Sequence, residues 1–142
     1  MEQNFTICSP QELTNVSSAL AKLMQETHKR VILLNGNLGT GKTTFVKEFV
    51  SSKNVDVEVD SPTFSIVNDY DLGSEIIHHF DLYRTNTIEE IEDFGFWDYI
   101  DSSNICFIEW PDKIADLLPQ NQVITVDIKL SLNQCREFTF YY

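Results

Sequence analysis

The sequence predicts an α/β fold in three layers, with a mixed, mostly parallel central sheet that carries antiparallel hairpins. Three observations predict it. An apolar run, Val31-Ile32-Leu33-Leu34, leads into a glycine-rich loop and then into a helical pattern from Thr43 to Val50. A second near-continuous run, Ile105-Cys106-Phe107-Ile108, ends in Glu109, as expected of a strand buried on both faces of a parallel sheet. Strand-like segments flank Asp71-Leu72-Gly73-Ser74 and Ser131-Leu132-Asn133-Gln134, and each pair reads as a hairpin.

The remaining elements follow in order. Phe5-Thr6-Ile7-Cys8 is a first strand. Ser9-Pro10-Gln11-Glu12 starts a helix, with Ser9 as N-cap, Pro10 in the first turn and Glu12 able to reach back. Leu13, Val16, Leu20, Leu23 and Met24 recur at helical spacing to about residue 27. Val55, Val57 and Val59 alternate as in a strand, and Ser61-Pro62-Thr63 interrupts them. Ser65 to Tyr70 and Glu75 to Phe80 are the arms of the first hairpin. Ile88, Ile91 and Phe94 mark a short helix before Gly95, and Trp97 to Ile100 a further turn. Trp110-Pro111-Asp112-Lys113 opens a short helix through Leu118, and Val123–Leu130 with Glu137–Tyr142 closes the sheet.

A chain of 142 residues with 42% hydrophobic and 12% aromatic residues can bury one continuous core, and a single domain over residues 1–142 is expected. No apolar stretch approaches the ~18–20 residues of a membrane span, and the first residues lack the basic and apolar regions of a secretory signal. Cys8, Cys106 and Cys135 have no paired metal-ligand spacing. Two of them lie in strand-like runs, which favours small buried thiols and a reducing, cytoplasmic setting. Ten Lys and Arg stand against 22 Asp and Glu, for a net charge of −12. A protein that grips nucleic acid by itself usually carries a basic face, so any RNA or DNA should be held by another subunit.

Residues 36–43, Gly-Asn-Leu-Gly-Thr-Gly-Lys-Thr, complete the G-x-x-x-x-G-K-[ST] phosphate-binding loop in its required strand–loop–helix setting. The expected nucleotide contacts are Asn37, Leu38, Gly39, Thr40, Gly41, Lys42, Thr43 and Thr44. Gly36, Gly39 and Gly41 let successive N–H groups form an anion nest. Lys42 supplies charge between the β- and γ-phosphates, and the Thr43 hydroxyl ligates magnesium. Thr44 reads equally as an α-phosphate contact or a helix-surface residue. An acid at the end of a neighbouring strand must complete the magnesium site. Asp81, after Ile76-Ile77-His78-His79-Phe80, and Glu109 both qualify, for metal binding or for orienting water. Thr63 in Ser61-Pro62-Thr63-Phe64 fits either a γ-phosphate switch or an ordinary turn. His79, Tyr83 and Arg84 gather around Asp81 as a site rim. Trp110 suits the core, a stacking surface or a partner contact.

Absent motifs narrow the substrate. The chain has neither the Asp-x-x-Gly switch nor the Asn-Lys-x-Asp guanine reader of a GTPase. Its arginines are Arg30, Arg84 and Arg136, too few for the lid of a typical small-molecule kinase. ATP hydrolysis is the leading reading; a small-molecule kinase is the alternative, and a nucleotide-gated binding module a third.

Together the phosphate loop, Ser-Pro-Thr-Phe, His79-Phe80-Asp81-Leu82-Tyr83-Arg84 and Ile108-Glu109-Trp110-Pro111 resemble the bacterial TsaE (YjeE) ATPase family, in order and spacing from about residue 9 to residue 118. The resemblance implies a P-loop NTPase fold and a role in forming threonylcarbamoyladenosine in tRNAs that read ANN codons. It also implies that ATP and Mg2+ are bound, with slow turnover when the chain is alone. The implied partners are TsaB and TsaD, whose complex performs the transfer and holds the tRNA. Lys42 and Thr43 then serve phosphate and magnesium, Thr63 the switch, and Asp81 and Glu109 metal or water activation. Trp110 matches the family tryptophan near the nucleotide and the partner surface. Asn37-Leu38 departs from the family's frequent Asp-Leu without loss of a catalytic group.

Overall fold

Seven strands form one sheet in the order β1-β7-β6-β2-β5-β4-β3. The computed structural model describes residues 1–53, 56–62 and 66–142. The strands are β1 (Glu2–Ile7), β2 (Val31–Asn35), β3 (Val67–Asp71), β4 (Ile76–Asp81), β5 (Ile105–Glu109), β6 (Val123–Leu130) and β7 (Arg136–Tyr141). The helices are α1 (Leu13–Thr27), α2 (Lys42–Lys53), α3 (Ile88–Asp93) and α4 (Phe96–Asp101). β4, β5, β2 and β6 pair in parallel, whereas β3, β7 and β1 are added antiparallel to their neighbours. The fold is thus the expected mixed, mostly parallel sheet with hairpins.

Alternation along the central strands divides the core into two faces. Ile32, Leu34, Ile105 and Phe107 pack with Val16 and Leu20 of α1 and with Phe45 and Phe49 of α2. Val31, Leu33, Cys106 and Ile108 pack with Ile91, Phe96 and Ile100 of α3 and α4 on the other side. Helices on both faces explain why β2 and β5 read as unbroken apolar runs. Burial of each large side chain contributes about 1.5–3 kcal/mol, so this layering supplies the main drive to fold.

Local signals also hold. The Glu12 carboxylate accepts hydrogen bonds from the backbone N–H of Cys8 (2.6 Å) and Ser9 (3.0 Å), and these bonds lower its pKa. Leu13, Val16, Leu20, Leu23 and Met24 are all buried. In the first hairpin, Asp71 Oδ1 accepts from Gly73 N at 2.9 Å, and Gly73 takes φ +84°.

Three expectations fail for physical reasons. Residues 57–60 do not form a strand. The Asp60 carbonyl instead accepts from the side chains of Asn68 (3.1 Å) and Tyr70 (3.2 Å), so side-chain bonds replace a backbone ladder there. Val55 lies outside the described residues. The helix expected from Trp110 to Leu118 contracts to a 3-10 turn, Ala115–Leu117. Cys8 and Cys135 are not thiols: they form a disulfide across the β1–β7 edge. The register pairs Ile7 with Arg136, so the two cysteines meet one position beyond the ladder. The cysteines therefore give no support to a reducing setting. Cys106 does remain a buried thiol, its pKa pushed up to about 12 by burial. Among the described residues no helix is long and apolar enough to cross a membrane.

Candidate functional site

The phosphate loop leaves β2 at the carboxyl end of the parallel strands, between β5 and β6. From β2 the chain first builds the β4–β5 side and later the β6–β7 side, so the loop lies at a topological switch point, where ligands bind in open α/β sheets. Glycine is required at two loop positions. A Cβ on Gly36 would lie 2.5 Å from Thr40 Oγ1 and 2.8 Å from the Ile128 carbonyl oxygen. Gly41 adopts φ +103° immediately before α2, a conformation that L side chains rarely take. Thr40 is buried and closes the loop by donating to the Asn37 carbonyl at 2.9 Å.

Lys42 is 5% exposed. Its Nζ donates to the carbonyls of Gly36 (2.5 Å) and Asn37 (3.1 Å) and lies 4.0 Å above the Trp110 ring. Burial lowers its pKa, opposed by the charges of Glu109, Asp81 and Asp112. Trp110 has φ +58° and contacts Tyr83, with ring centroids 4.8 Å apart. The tryptophan thus belongs to the loop's surroundings and packs over its lysine.

Parallel pairing brings the acids alongside. Leu34 of β2 is in register with Glu109 of β5, and Glu109 with Asp81 of β4. Glu109 is 3% exposed, and its Oε2 accepts from Thr43 Oγ1 at 2.9 Å. The same oxygen meets His79 Nε2 at 2.5 Å. When Glu109 is ionised it can only accept, and the His79 N–H is then the donor in this contact. Thr43 Oγ1 also bonds Ser61 Oγ at 2.7 Å. Asp81 Oδ1 accepts from Tyr83 N at 3.0 Å. Its pKa is raised, chiefly by burial and further by the nearby Glu109 charge, against the opposing pull of Tyr83 N–H, His79 and Lys42.

A cleft of ≈ 320 Å³ gathers Lys42, Thr43, Thr44, Asp81 and Glu109. Leu38, Gly39 and Gly41 line it too, whereas Asn37 and Thr40 line a neighbouring cavity with Asp127 and Lys129, and Leu38 lines both. Thr63 lies outside the described residues, and of its segment Ser61 reaches the site. His79 is fully buried rather than on the rim. Ser61 and Arg136 were not singled out from sequence, though both line the cleft. The Thr43 hydroxyl and the two carboxylates form an all-oxygen donor set suited to Mg2+. Among the described residues no group of three or more His, Cys, Asp or Glu forms a closed metal cage. A magnesium ion that keeps waters and substrate phosphates as ligands requires none.

Comparison with known proteins identifies the family. Residues 7–138 match the family model described as "Threonylcarbamoyl adenosine biosynthesis protein TsaE". A "tRNA threonylcarbamoyladenosine biosynthesis protein TsaE" of Bacillus subtilis is 38% identical over 126 residues, 87% of this chain and 78% of that protein. The protein of the same description from Haemophilus influenzae is 38% identical over 103 residues, 72% of this chain and 65% of its own length. Its Treponema pallidum counterpart is 30% identical over 131 residues, covering 92% and 94%. The crystal structure of YdiB from Bacillus subtilis superposes with a TM-score of 0.72 at 26% identity, over 99% of this chain and 84% of that one. With the motif-bearing strands, the phosphate loop and the whole-chain match in agreement, the chain belongs to the TsaE family of tRNA threonylcarbamoyladenosine biosynthesis.

Proposed function

We propose that this chain is a magnesium-dependent ATPase that drives repeated turnover of a TsaB–TsaD transferase during threonylcarbamoyladenosine modification of tRNAs reading ANN codons. The observation that carries the reading is the Thr43–Glu109 hydrogen bond of 2.9 Å. It joins the hydroxyl expected to ligate magnesium to the acid expected to complete the metal site, at the mouth of a phosphate loop. When bound, Mg2+ would neutralise charge on the terminal phosphates. Thr43, Asp81 and Glu109 are the residues placed to hold it.

The chain's own groups account for the rest. Lys42 already stands under the loop as a desolvated cation, and phosphate oxygens would replace the carbonyl oxygens of Gly36 and Asn37 as its acceptors. Exchanging neutral acceptors for anionic ones adds charge–charge attraction in a desolvated site. His79 fixes the orientation of Glu109, leaving the carboxylate's other oxygen for water or metal. The N-terminus of α2 adds its dipole to the nest. The net charge of −12 agrees with tRNA being held by the partner proteins. A cytoplasmic location is part of the same proposal and rests on the tRNA pathway, not on cysteine chemistry.

Reconstitution with TsaB and TsaD tests the reading. The chain should co-purify with them in a nucleotide-dependent way, release inorganic phosphate, and support many rounds of tRNA modification. Transfer of labelled phosphate to a small acceptor would favour the kinase alternative. Multiple rounds with a nonhydrolysable ATP analogue would favour a gating module. Absence of association in every nucleotide state would overturn the proposed role.

A further inference from the structure

The Cys8–Cys135 disulfide lies at the end of the sheet that carries the phosphate loop, since β1 is antiparallel to β7 and β7 to β6. Cys8 follows β1 and leads through Ser9 and a 3-10 turn into α1, and Cys135 closes the connection from β6 to β7. In that connection Ser131 N donates to the Cys135 carbonyl at 2.8 Å, and Gln134 N to the Ser131 carbonyl at 3.2 Å. The β6–β7 hairpin in turn walls the loop. A Cβ built on Gly36 would lie 2.8 Å from the Ile128 carbonyl oxygen, and one built on Gly41 3.5 Å from Arg136 Cζ. Both ends of the loop therefore pack against the hairpin.

On the other side of the disulfide, α1 packs on α2, the helix into which the loop opens. Val16 and Leu20 share a core with Phe45 and Phe49, and Thr14 Oγ1 donates to Glu48 Oε1 at 2.8 Å. The disulfide thus closes a ring that runs from the loop through the hairpin, Cys135, Cys8, α1 and α2 back to the loop. A cross-link that holds a binding loop in shape lowers the ordering cost of binding. The bond is also within reach of thiols in solution, because Cys8 is exposed and Cys135 is 8% exposed. The β1–β7 ladder from Glu2 and Tyr141 to Ile7 and Arg136 does not depend on it, so the two sulfurs stay apposed after reduction and can rejoin. Disulfides in a reducing cytoplasm are mostly transient, catalytic or redox-sensing.

We propose that Cys8–Cys135 is a thiol–disulfide switch on nucleotide binding, with the oxidised chain binding nucleotide more tightly than the reduced one. The switch rests on the nucleotide-binding reading and the cytoplasmic location proposed above, and adds regulation to that site. Its co-reactant is a low-molecular-weight thiol such as glutathione. The glutathione thiolate attacks the Cys8 sulfur, the S–S bond breaks, and Cys135 leaves as a thiolate that takes up a proton. A second glutathione thiolate attacks the glutathione sulfur of the mixed disulfide, releasing Cys8, which is protonated, and glutathione disulfide. Two electrons and two protons pass from two glutathiones to the cysteine pair, and the reverse sequence restores the bond.

Calorimetric titration of the full-length chain with MgADP, oxidised and after equilibration with reduced glutathione, tests the switch. Thiol state is read in the same samples by alkylation and mass spectrometry. Reduced glutathione should open the bond in the folded chain, and glutathione disulfide should restore it. Reduction should weaken MgADP binding by about 5-fold or more, the lower end of coupling between two sites. By reciprocity, saturating MgADP should make the bond harder to open. The squared concentration of reduced glutathione over that of its disulfide, at half reduction, should rise by the same factor. Cys8→Ser with Cys135→Ser should bind MgADP as the reduced chain does, whatever the redox buffer. A bond that reduced glutathione leaves intact would be a structural staple, and the proposal would be overturned. Unfolding on reduction, seen by circular dichroism, would overturn it too, as would equal or tighter MgADP binding after reduction. A redox response that persists in the double serine variant would do the same. Failure of wild type to bind MgADP in either state would instead overturn the nucleotide reading, and the switch with it. If the double variant does not fold, wild type in its two redox states carries the test alone.

Discussion

On one side of β2, strands β5 and β4 end in Glu109 and Asp81, and Lys42, His79 and Glu109 are buried with them. On the other side, β6, β7 and β1 form an antiparallel run fastened by the Cys8–Cys135 disulfide and by ring contacts such as Phe5–Phe140, with centroids 5.0 Å apart. The first side buries charge, which is costly in a protein interior. The second buries aromatic and aliphatic surface, which is favourable. The difference suggests a division of labour: the parallel half carries the chemistry at some cost in stability, and the antiparallel half stabilises the edge that holds the loop. Arg136 is where the second half reaches the chemistry of the first.

If this division holds, substitutions on the two sides should move different observables. The largest effect is expected at Lys42. Lys42→Met should reduce ATP hydrolysis by about 10³-fold or more, consistent with the loss of a group that stabilises developing phosphate charge. The melting temperature at neutral pH should stay the same or rise. The folded-state pKa of Lys42 is lowered by burial, so its charged form costs stability below that pKa, and the cost fades as pH rises through it. A large fall in melting temperature together with the loss of activity would break the comparison.

Next is the disulfide. Cys8→Ser with Cys135→Ser should cost about 2–4 kcal/mol of stability, measured by urea unfolding. The hydrolysis rate below the melting transition should change much less than it does in Lys42→Met. Equal losses would show that the two halves are not separable.

Asp81 sharpens the picture through pH. Its folded pKa is raised above the ordinary aspartate value, chiefly by burial. Stability from the protonated form is present at low pH and is lost as pH rises through the folded pKa. Asp81→Asn should therefore raise the melting temperature at neutral pH, with the gain vanishing on acidification through that pKa, while hydrolysis falls. The smallest effect is expected away from both halves. Thr87 caps α3 by accepting from Glu90 N at 3.3 Å. Thr87→Ala should cost about 0.5–2 kcal/mol of stability by denaturant titration and leave hydrolysis unchanged.

The same two sides differ in how far the chain disclosed them. Lys42, Thr43 and Glu109 were legible because local signals coincide: a contiguous motif, then an apolar strand whose last residue is an acid. Parallel register brings such strand ends together without further information. Cys8 and Cys135 were misread because they are 127 residues apart. Their contact depends on β1 pairing with β7 at the far edge of the sheet, which periodicity does not reveal. Arg136 was missed for the same reason. His79 was placed on a rim because four polar-capable side chains, His79, Asp81, Tyr83 and Arg84, fall within six positions; with both faces of β4 covered, that position is interior. Val57 and Val59 showed the strand period, but side-chain bonds from Asn68 and Tyr70 meet the neighbouring backbone instead.

The central claim is that Glu109, bonded to Thr43 and His79, makes the phosphate loop hydrolytic. It is tested most directly by measuring MgATP affinity and steady-state phosphate release side by side for wild type and Glu109→Gln, which keeps the shape and removes the charge. The account predicts that nucleotide binding is retained while turnover falls by about 10²-fold or more, the range of a lost general base or metal ligand. Wild-type turnover in Glu109→Gln would contradict it.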